Sequence, residues 1–164
     1  MTHSEIIILR LLSGKDRYGY ELDRIIEEHR MRSWADIGFS SIYHILNKLE
    51  RKAFVSSYSI KEQGSPKRKV YRISNPGKDM LREEVAHMLE EPAEIHDDFT
   101  VALVTSDVLG DEEFQRSLER YRDHLMQKRD FLHRELPRET KRKERVALAI
   151  DRMARLIDAE IEWL

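Results

Sequence analysis

The stretch that decides the fold covers residues 40–72 and reads SSIYHILNKLERKAFVSSYSIKEQGSPKRKVYR. Its first part repeats apolar residues at helical spacings of three and four, at Ile42, Ile45, Leu46 and Leu49. This stripe predicts an amphipathic helix. Its second part holds two short β-prone runs, 54–60 and 70–73, on either side of a polar segment with Gly64 and Pro66. We therefore expect a helix followed directly by a β-hairpin with a long polar turn.

The face of this helix opposite the apolar stripe carries hydrogen-bonding side chains. It presents Ser40, His44, Asn47, Lys48 and Arg51, with Ser41 and Tyr43 at its flanks. Small hydroxyl residues at a helix start allow close approach to phosphates, and polar side chains can read base edges in a DNA groove. His44 and Asn47 are candidate base readers, whereas Lys48 and Arg51 are candidate phosphate contacts. Two interpretations of Tyr43 stay open. In one its hydroxyl bonds a DNA phosphate, and in the other its ring packs beneath the hairpin.

Three consecutive cations, Lys67, Arg68 and Lys69, lie at the predicted hairpin tip. Successive strand residues point to opposite faces of a sheet. Lys69 therefore either joins Lys67 and Arg68 at the tip or points back toward the chain. A basic hairpin tip that follows a polar helix face is typical of a DNA-binding wing.

The distribution of charge is more informative than the net charge of -2. Residues 40–72 hold eight basic side chains against two acidic ones, whereas residues 79–113 hold twelve acidic side chains against Arg82. Such asymmetry favours one basic face that meets a polyanion such as double-stranded DNA.

The composition excludes several other classes of protein. The 164 residues contain no cysteine, which excludes disulfides and thiolate zinc sites and favours a cytoplasmic location. No leader peptide and no membrane-spanning run is recognisable. The histidines show no metal-ligand spacing, and no nucleophile elbow or phosphate loop is present. We expect neither an enzyme nor a bound cofactor or metal.

The remaining helices divide the chain into two predicted domains, 1–91 and 92–164. Two further short helices precede the 40–72 stretch, and Asn75 with Pro76 predicts the cap and first turn of a helix after the hairpin. The second domain ends in two helices with heptad-like stripes, the first of them ending at Pro137. The stripe residues are candidate dimerisation contacts: Phe114, Leu118, Tyr121, Leu125, Ile150, Met153, Ile157 and Ile161.

The order of three helices and a basic hairpin predicts a mostly α fold with a small β-hairpin, namely an N-terminal winged helix-turn-helix domain followed by a C-terminal helical dimerisation domain. The first half of the chain also resembles the PadR family. The resemblance lies in Tyr18-Gly19-Tyr20-Glu21-Leu22, Ser40-Ser41-Ile42-Tyr43, Leu46, Leu49-Glu50, Lys69-Val70-Tyr71-Arg72-Ile73 and Gly77. Many members have a proline-glycine-threonine-like lead into the tyrosine, where this chain has Phe39-Ser40-Ser41-Ile42.

This resemblance implies a transcriptional regulator, mostly a repressor in this family, that forms a homodimer through its last helices. It implies that Tyr43 and its neighbours contact DNA and that Lys67 and Arg68 belong to the wing. Two copies would place their recognition helices roughly 34 to 36 Å apart on a near-palindromic operator.

The resemblance to the PadR family also implies a small aromatic effector, because some members of that family respond to phenolic ligands. The aromatic residues that could line such a site are Trp34, Phe99, Tyr121 and Trp163. Ordinary core packing is the competing interpretation of these side chains. Two rival classes also remain, a MarR-like regulator and a winged-helix interaction module that docks proteins through the acidic segment 79–113 and does not bind DNA.

Overall fold

The computed structural model describes residues 1–33, 37, 41–61, 67–92, 97–140 and 144–164, with backbone alone for residue 41 and residues 135–140. The chain divides into two compact units, Met1–Glu94 and Ile95–Leu164.

The described part of the first unit contains four α-helices and a small sheet. The helices are α1 (His3–Leu12), α2 (Gly19–Glu28), α3 (Ser41–Arg51) and α4 (Asn75–Glu90), and the strands are β1 (Arg17–Tyr18), β2 (Val55–Ile60) and β3 (Arg68–Ile73). A short 3-10 turn, Met31–Ser33, follows α2. The mostly helical class, the helix over the apolar stripe and the hairpin after it are confirmed.

The sheet has a third strand that the sequence did not predict. Its order is β1-β3-β2 and both pairings are antiparallel, with Tyr58 opposite Val70 and Arg17 opposite Tyr71. The strand β1 has two residues, too few for any alternation of side chains to be visible in a sequence. Its pairing with β3 is a tertiary contact, so the hairpin is held against the start of α2.

The core of the first unit is formed where α1, α2 and α3 meet the sheet and α4. Its central side chains are Ile8, Leu9, Leu12, Leu22, Ile26, Ile42, Leu46 and Leu49, each no more than 2% exposed. Three residues of the α3 stripe lie in this set and the fourth, Ile45, is also buried. The burial of one whole face of α3 fixes which of its side chains point outward.

The start of α4 differs by one residue from the expected cap. The Ser74 hydroxyl accepts a hydrogen bond from the Gly77 backbone N–H at 3.1 Å and caps the helix in place of Asn75, while Pro76 lies in its first turn. A serine is as good a cap as an asparagine, and here its hydroxyl also donates to the Ala53 carbonyl at 2.6 Å.

The second unit consists of three helices, α5 (Asp98–Val104), α6 (Asp111–Thr140) and α7 (Glu144–Trp163), with a 3-10 turn at Ser106–Val108. The helices α6 and α7 pack against each other. The expected end of α6 at Pro137 is wrong, because the helix continues to Thr140. A proline inside a helix removes one backbone donor and crowds the carbonyl four residues earlier, and in α6 this cost falls within the last turn of the helix. Within the described ranges no helix is long and apolar enough to span a membrane.

Candidate nucleic-acid interface

The outward face of α3 is polar and open. His44, Asn47 and Arg51 are exposed, Tyr43 is 56% exposed, and Lys48 is half-buried. Ser40 lies outside the described residues, and Ser41 is the first residue of α3. Four of the predicted α3 residues therefore form an exposed strip that begins within the first turn of the helix.

The ring of Tyr43 lies against the backbone at the start of α2. A methyl group added to Gly19 would be 2.5 Å from Cε1 and 3.1 Å from the hydroxyl oxygen of Tyr43. A side chain at position 19 would therefore displace the Tyr43 ring from its place against α2. The ring therefore packs on α2 while its outer edge stays exposed.

An open cleft of about 540 Å³ connects α3 with the hairpin. Its walls are formed by Tyr18, Gly19, Tyr20, Tyr43, Arg68, Lys69 and Tyr71. The rings of Tyr18 and Tyr20 stack with centroids 5.5 Å apart, and the guanidinium carbon of Arg68 lies 6.0 Å from the Tyr20 centroid. Lys67 is exposed just before β3, and residues 62–66 of the predicted tip lie outside the described residues. The sequence singled out Tyr43, Arg68 and Lys69 but not Tyr18, Tyr20 or Tyr71 as parts of one surface.

Lys69 points back toward α3. Its Nζ lies 2.7 Å from Oε2 of Glu50 and 5.0 Å from the Tyr71 ring centroid. The Ser57 hydroxyl on β2 donates to the other oxygen of Glu50. The hydrogen bonds from Lys69 and then Ser57 hold the pKa of Glu50 below its ordinary value, and the same pair raises the pKa of Lys69. Glu50 thus joins α3 to both long strands of the sheet.

Lys48 pairs with a buried carboxylate that the sequence analysis missed. Glu5 of α1 is 1% exposed, and its Oε1 lies 2.8 Å from Nζ of Lys48 and 3.8 Å from Nζ of Lys52. Its other oxygen accepts the backbone N–H of Thr2 at 3.0 Å, which completes a capping box on α1. Burial by itself raises the pKa of Glu5, but the adjacent Lys48 ammonium, the Thr2 backbone N–H and the charge of Lys52 together lower it below its ordinary value.

A third carboxylate holds Arg72. Asp16 Oδ2 accepts Nε of Arg72 at 2.8 Å and the Tyr58 hydroxyl at 2.9 Å. The hydrogen bond from Arg72, assisted by that from Tyr58, holds the pKa of Asp16 below its ordinary value. Because Asp16 precedes β1, this cluster ties the outer strands of the sheet together.

Pairing with Glu5, Glu50 and Asp16 reduces the number of cations that are available to bind DNA phosphates. Lys48, Lys52, Lys69 and Arg72 are paired with carboxylates. The other four basic residues of the 40–72 stretch have no ion pair with any described residue: Arg51, Lys61, Lys67 and Arg68. Four of the eight cations that the sequence assigned to this surface are therefore held by three carboxylates within the chain, with Lys48 and Lys52 sharing Glu5.

Three of the four candidate effector residues lie together in the second unit. The rings of Phe99 and Tyr121 stack with centroids 3.9 Å apart, and the Trp163 ring meets Phe99 edge-on at 6.2 Å. The Tyr121 hydroxyl donates to Glu160 at 3.2 Å. Burial, and after it the Glu160 carboxylate, raises the pKa of Tyr121. Trp34 lies outside the described residues.

The candidate dimerisation residues are partly covered already within one chain. Leu125 is buried, and the other seven are half-buried: Phe114, Leu118, Tyr121, Ile150, Met153, Ile157 and Ile161. Outside this stripe, α7 exposes Leu148, Leu156 and Trp163, which are 63%, 53% and 65% exposed. Sequence periodicity identified the stripe through which α6 and α7 pack on each other. It did not identify these exposed apolar residues of α7.

A helical core whose third helix presents a polar face beside a three-stranded antiparallel sheet defines a winged helix-turn-helix protein. A family model described as the transcriptional regulator PadR-like family matches residues 8–83. An uncharacterised protein of Lysinibacillus sphaericus is 38% identical over 88 residues, which cover 54% of this chain and 80% of that protein. The chain belongs to the PadR-like family, whose members are transcriptional regulators and not enzymes.

Solved structures of this family share the fold over nearly the whole chain. Bacillus subtilis PadR in complex with operator DNA matches with a TM-score of 0.75 and 17% identity, covering 97% of this chain and 93% of that one. The same protein in complex with p-coumaric acid matches with a TM-score of 0.74 and 18% identity, covering 97% and 92%. A PadR-like regulator from Bacillus cereus gives a TM-score of 0.67 at 18% identity, with the same coverage of 97% and 92%.

Proposed function

We propose that this regulator is a cytoplasmic repressor that binds a near-palindromic operator as a homodimer and is released by a small aromatic ligand. The DNA-binding component of this proposal rests on one observation, the exposed polar strip of α3 next to a cleft lined by tyrosines and Arg68. The complex of Bacillus subtilis PadR with operator DNA supports the same use of the fold.

The proposed interface separates base contacts from phosphate contacts. His44 and Asn47 are exposed on α3 and carry groups that can bond to base edges. Ser40 and Ser41 stand at or before the start of α3, where close approach to a phosphate is favoured. Arg51, Lys67 and Arg68 supply charge for the DNA backbone, and the Tyr43 side chain, which is 56% exposed, adds a hydroxyl.

The proposed dimer uses the helices of residues 111–164. Leu148 and Leu156 leave apolar surface open on α7, and exposed apolar patches commonly mark protein interfaces. The half-buried stripe residues of α6 and α7 would contribute their remaining exposed edges. Two copies joined in this way would bring their recognition helices to successive major-groove faces of an operator.

The test of DNA binding is a gel shift on genomic fragments, followed by titration of the selected fragment at several salt concentrations. We expect two chains per operator and a slope of log affinity against log salt of about -5, which is the value for about six phosphate contacts per dimer, made by Arg51, Lys67 and Arg68 of each chain. Engagement of all eight basic residues of each chain would instead give a slope of about -14. A fragment pool without any salt-sensitive complex would favour the protein-interaction module over this proposal.

Substitutions on α3 should separate the two kinds of contact. We expect His44→Ala or Asn47→Ala to relax base preference at one operator position by about 1 to 3 kcal/mol. Arg51→Ala should weaken binding to all sequences and make the salt slope less steep by about 1 per chain. Selection of operators from a randomised library, with Arg51→Ala as the matched control, measures the difference. Equal weakening on every sequence by all three variants would contradict this division.

The effector part of the proposal is tested with p-coumaric acid, the ligand of the solved Bacillus subtilis complex. At a concentration near one hundred times the dissociation constant, a ligand stabilises the folded state by about 2.7 kcal/mol. We expect p-coumaric acid to raise the melting temperature and to weaken operator binding. Cyclohexanecarboxylic acid, which has the charge without the aromatic ring, is the control and should do neither. Equal shifts with both acids, or with neither, would contradict an aromatic effector site.

A further inference from the structure

Glu50 occupies an unusual place for an acidic residue in a surface proposed to meet DNA. It lies in the last turn of α3, and it receives hydrogen bonds from the Lys69 ammonium at 2.7 Å and from the Ser57 hydroxyl. Lys69 lies between Lys67 and Arg68 on one side and the buried Val70 on the other, and it lines the tyrosine cleft. Its ammonium is thus within the proposed interface but directed at a carboxylate.

The Glu50 and Lys69 pair contributes little to folding. The two side chains are 32% and 43% exposed, and ion pairs at such positions typically stabilise a protein by no more than about 1 kcal/mol. The larger consequence of the pair is electrostatic, because each phosphate that a lysine neutralises raises affinity for DNA of any sequence. A lysine already held by a carboxylate adds no such contact.

We propose that Glu50 is a positioning residue that holds Lys69 away from DNA phosphates and so keeps the sequence-independent affinity low. This inference rests on the proposed DNA-binding function. A genome offers a vast excess of unrelated sites. Each added contact with the DNA backbone therefore increases the time that a repressor spends bound to those sites and away from its operator. The Ser57 hydroxyl holds the second carboxylate oxygen and so keeps Glu50 directed at the wing.

The test is Glu50→Gln on a short duplex of unrelated sequence. Glutamine keeps a group that can accept from Ser57 but removes the charge that holds Lys69. We expect tighter binding than wild type and a salt slope steeper by about 1 per chain, or about 2 for a dimer. The double variant Glu50→Gln with Lys69→Met should return the slope to the wild-type value. This double variant distinguishes release of Lys69 from mere loss of a negative charge.

A second comparison leaves Glu50 in place. Lys69→Met should leave the wild-type slope unchanged, whereas Lys67→Met on the exposed neighbour should make it less steep by about 1 per chain. An unchanged slope in Glu50→Gln, or equal losses in Lys69→Met and Lys67→Met, would overturn the role of Glu50 while leaving the proposed function intact. A wild-type protein without salt-sensitive DNA binding would overturn the proposed function itself, and this inference with it.

Discussion

Gly77→Ala is expected to destabilise the winged-helix unit by about 3 kcal/mol, one of the two largest effects of a single substitution expected here. A Cβ at this position would lie 2.1 Å from the Phe54 carbonyl oxygen and 2.9 Å from its carbon. That oxygen also accepts the Ser74 backbone N–H at 3.0 Å, so backbone on both sides of the contact would have to shift. In an unhindered helix the same change would stabilise by about 1 kcal/mol. Urea unfolding followed by circular dichroism measures the difference.

The matched control is Gly14→Ala, because a Cβ there would meet nothing within 4 Å. We expect its free energy of unfolding to stay within about 1 kcal/mol of wild type. The contrast would show that the cost at Gly77 comes from the close approach of α4 to the chain that enters β2. If both variants unfold at the same urea concentration, that close approach does not hold the hairpin in place.

Much of the fold could be predicted from local sequence alone. The stripe of α3 is spaced for a helix, and every one of its four residues is buried. Local signals also placed the hairpin and the helix after it. They failed at β1, where two residues pair with β3 through a contact that no local pattern contains.

The candidate site was less predictable, because charge counting does not show which cations are paired. Arg72 and its partner Asp16 are 56 residues apart, and Lys69 and Glu50 are 19 apart. Glu5 had a visible local signal, since Thr2 and Glu5 have capping-box spacing, but its burial beneath Lys48 depends on how α1 packs on α3. Likewise the contact of the Tyr43 ring with Gly19 joins two helices, and no local pattern of α3 contains it.

Lys48→Met is the second substitution with a large expected effect. It removes the closest counterion of a carboxylate that is almost fully buried. Loss of one partner of a fully buried pair costs about 3 to 5 kcal/mol. Lys48 is 40% exposed and Lys52 remains 3.8 Å from Glu5, so we expect about 2 kcal/mol at pH 7. Arg51→Met, which removes an exposed cation without an ion pair to a described residue, is the control and should change stability by less than about 0.5 kcal/mol.

The contribution of Glu5 to stability should change with pH in opposite directions in wild type and in Lys48→Met. In wild type the pKa of Glu5 is lowered, so its contribution to stability is present above the ordinary pKa of 4.5 and is lost as the pH falls through the lowered value. Without Lys48, burial is expected to raise the pKa of Glu5, so the variant gains stability relative to wild type as the pH falls from 7 toward 4. Unfolding curves across this range measure the change. A destabilisation that stays constant with pH would show that lost packing, and not the uncompensated carboxylate, is the cause.

Glu5→Gln combined with Lys48→Met then separates the structural role of Lys48 from a role at DNA. A neutral amide at Glu5 needs no counterion, so the double variant should recover most of the stability lost in Lys48→Met. With folding restored, and with Lys52→Met added so that the lysine 3.8 Å from Glu5 is not freed when the carboxylate charge is removed, the salt slope for DNA reports on the lysines that Glu5 holds. We expect the slope to match wild type, because both lysines are already engaged by Glu5, Lys48 at 2.8 Å. A slope less steep by about 1 per chain would instead show that one of these lysines neutralises a phosphate, as the sequence first indicated for Lys48, with Glu5 merely steadying it.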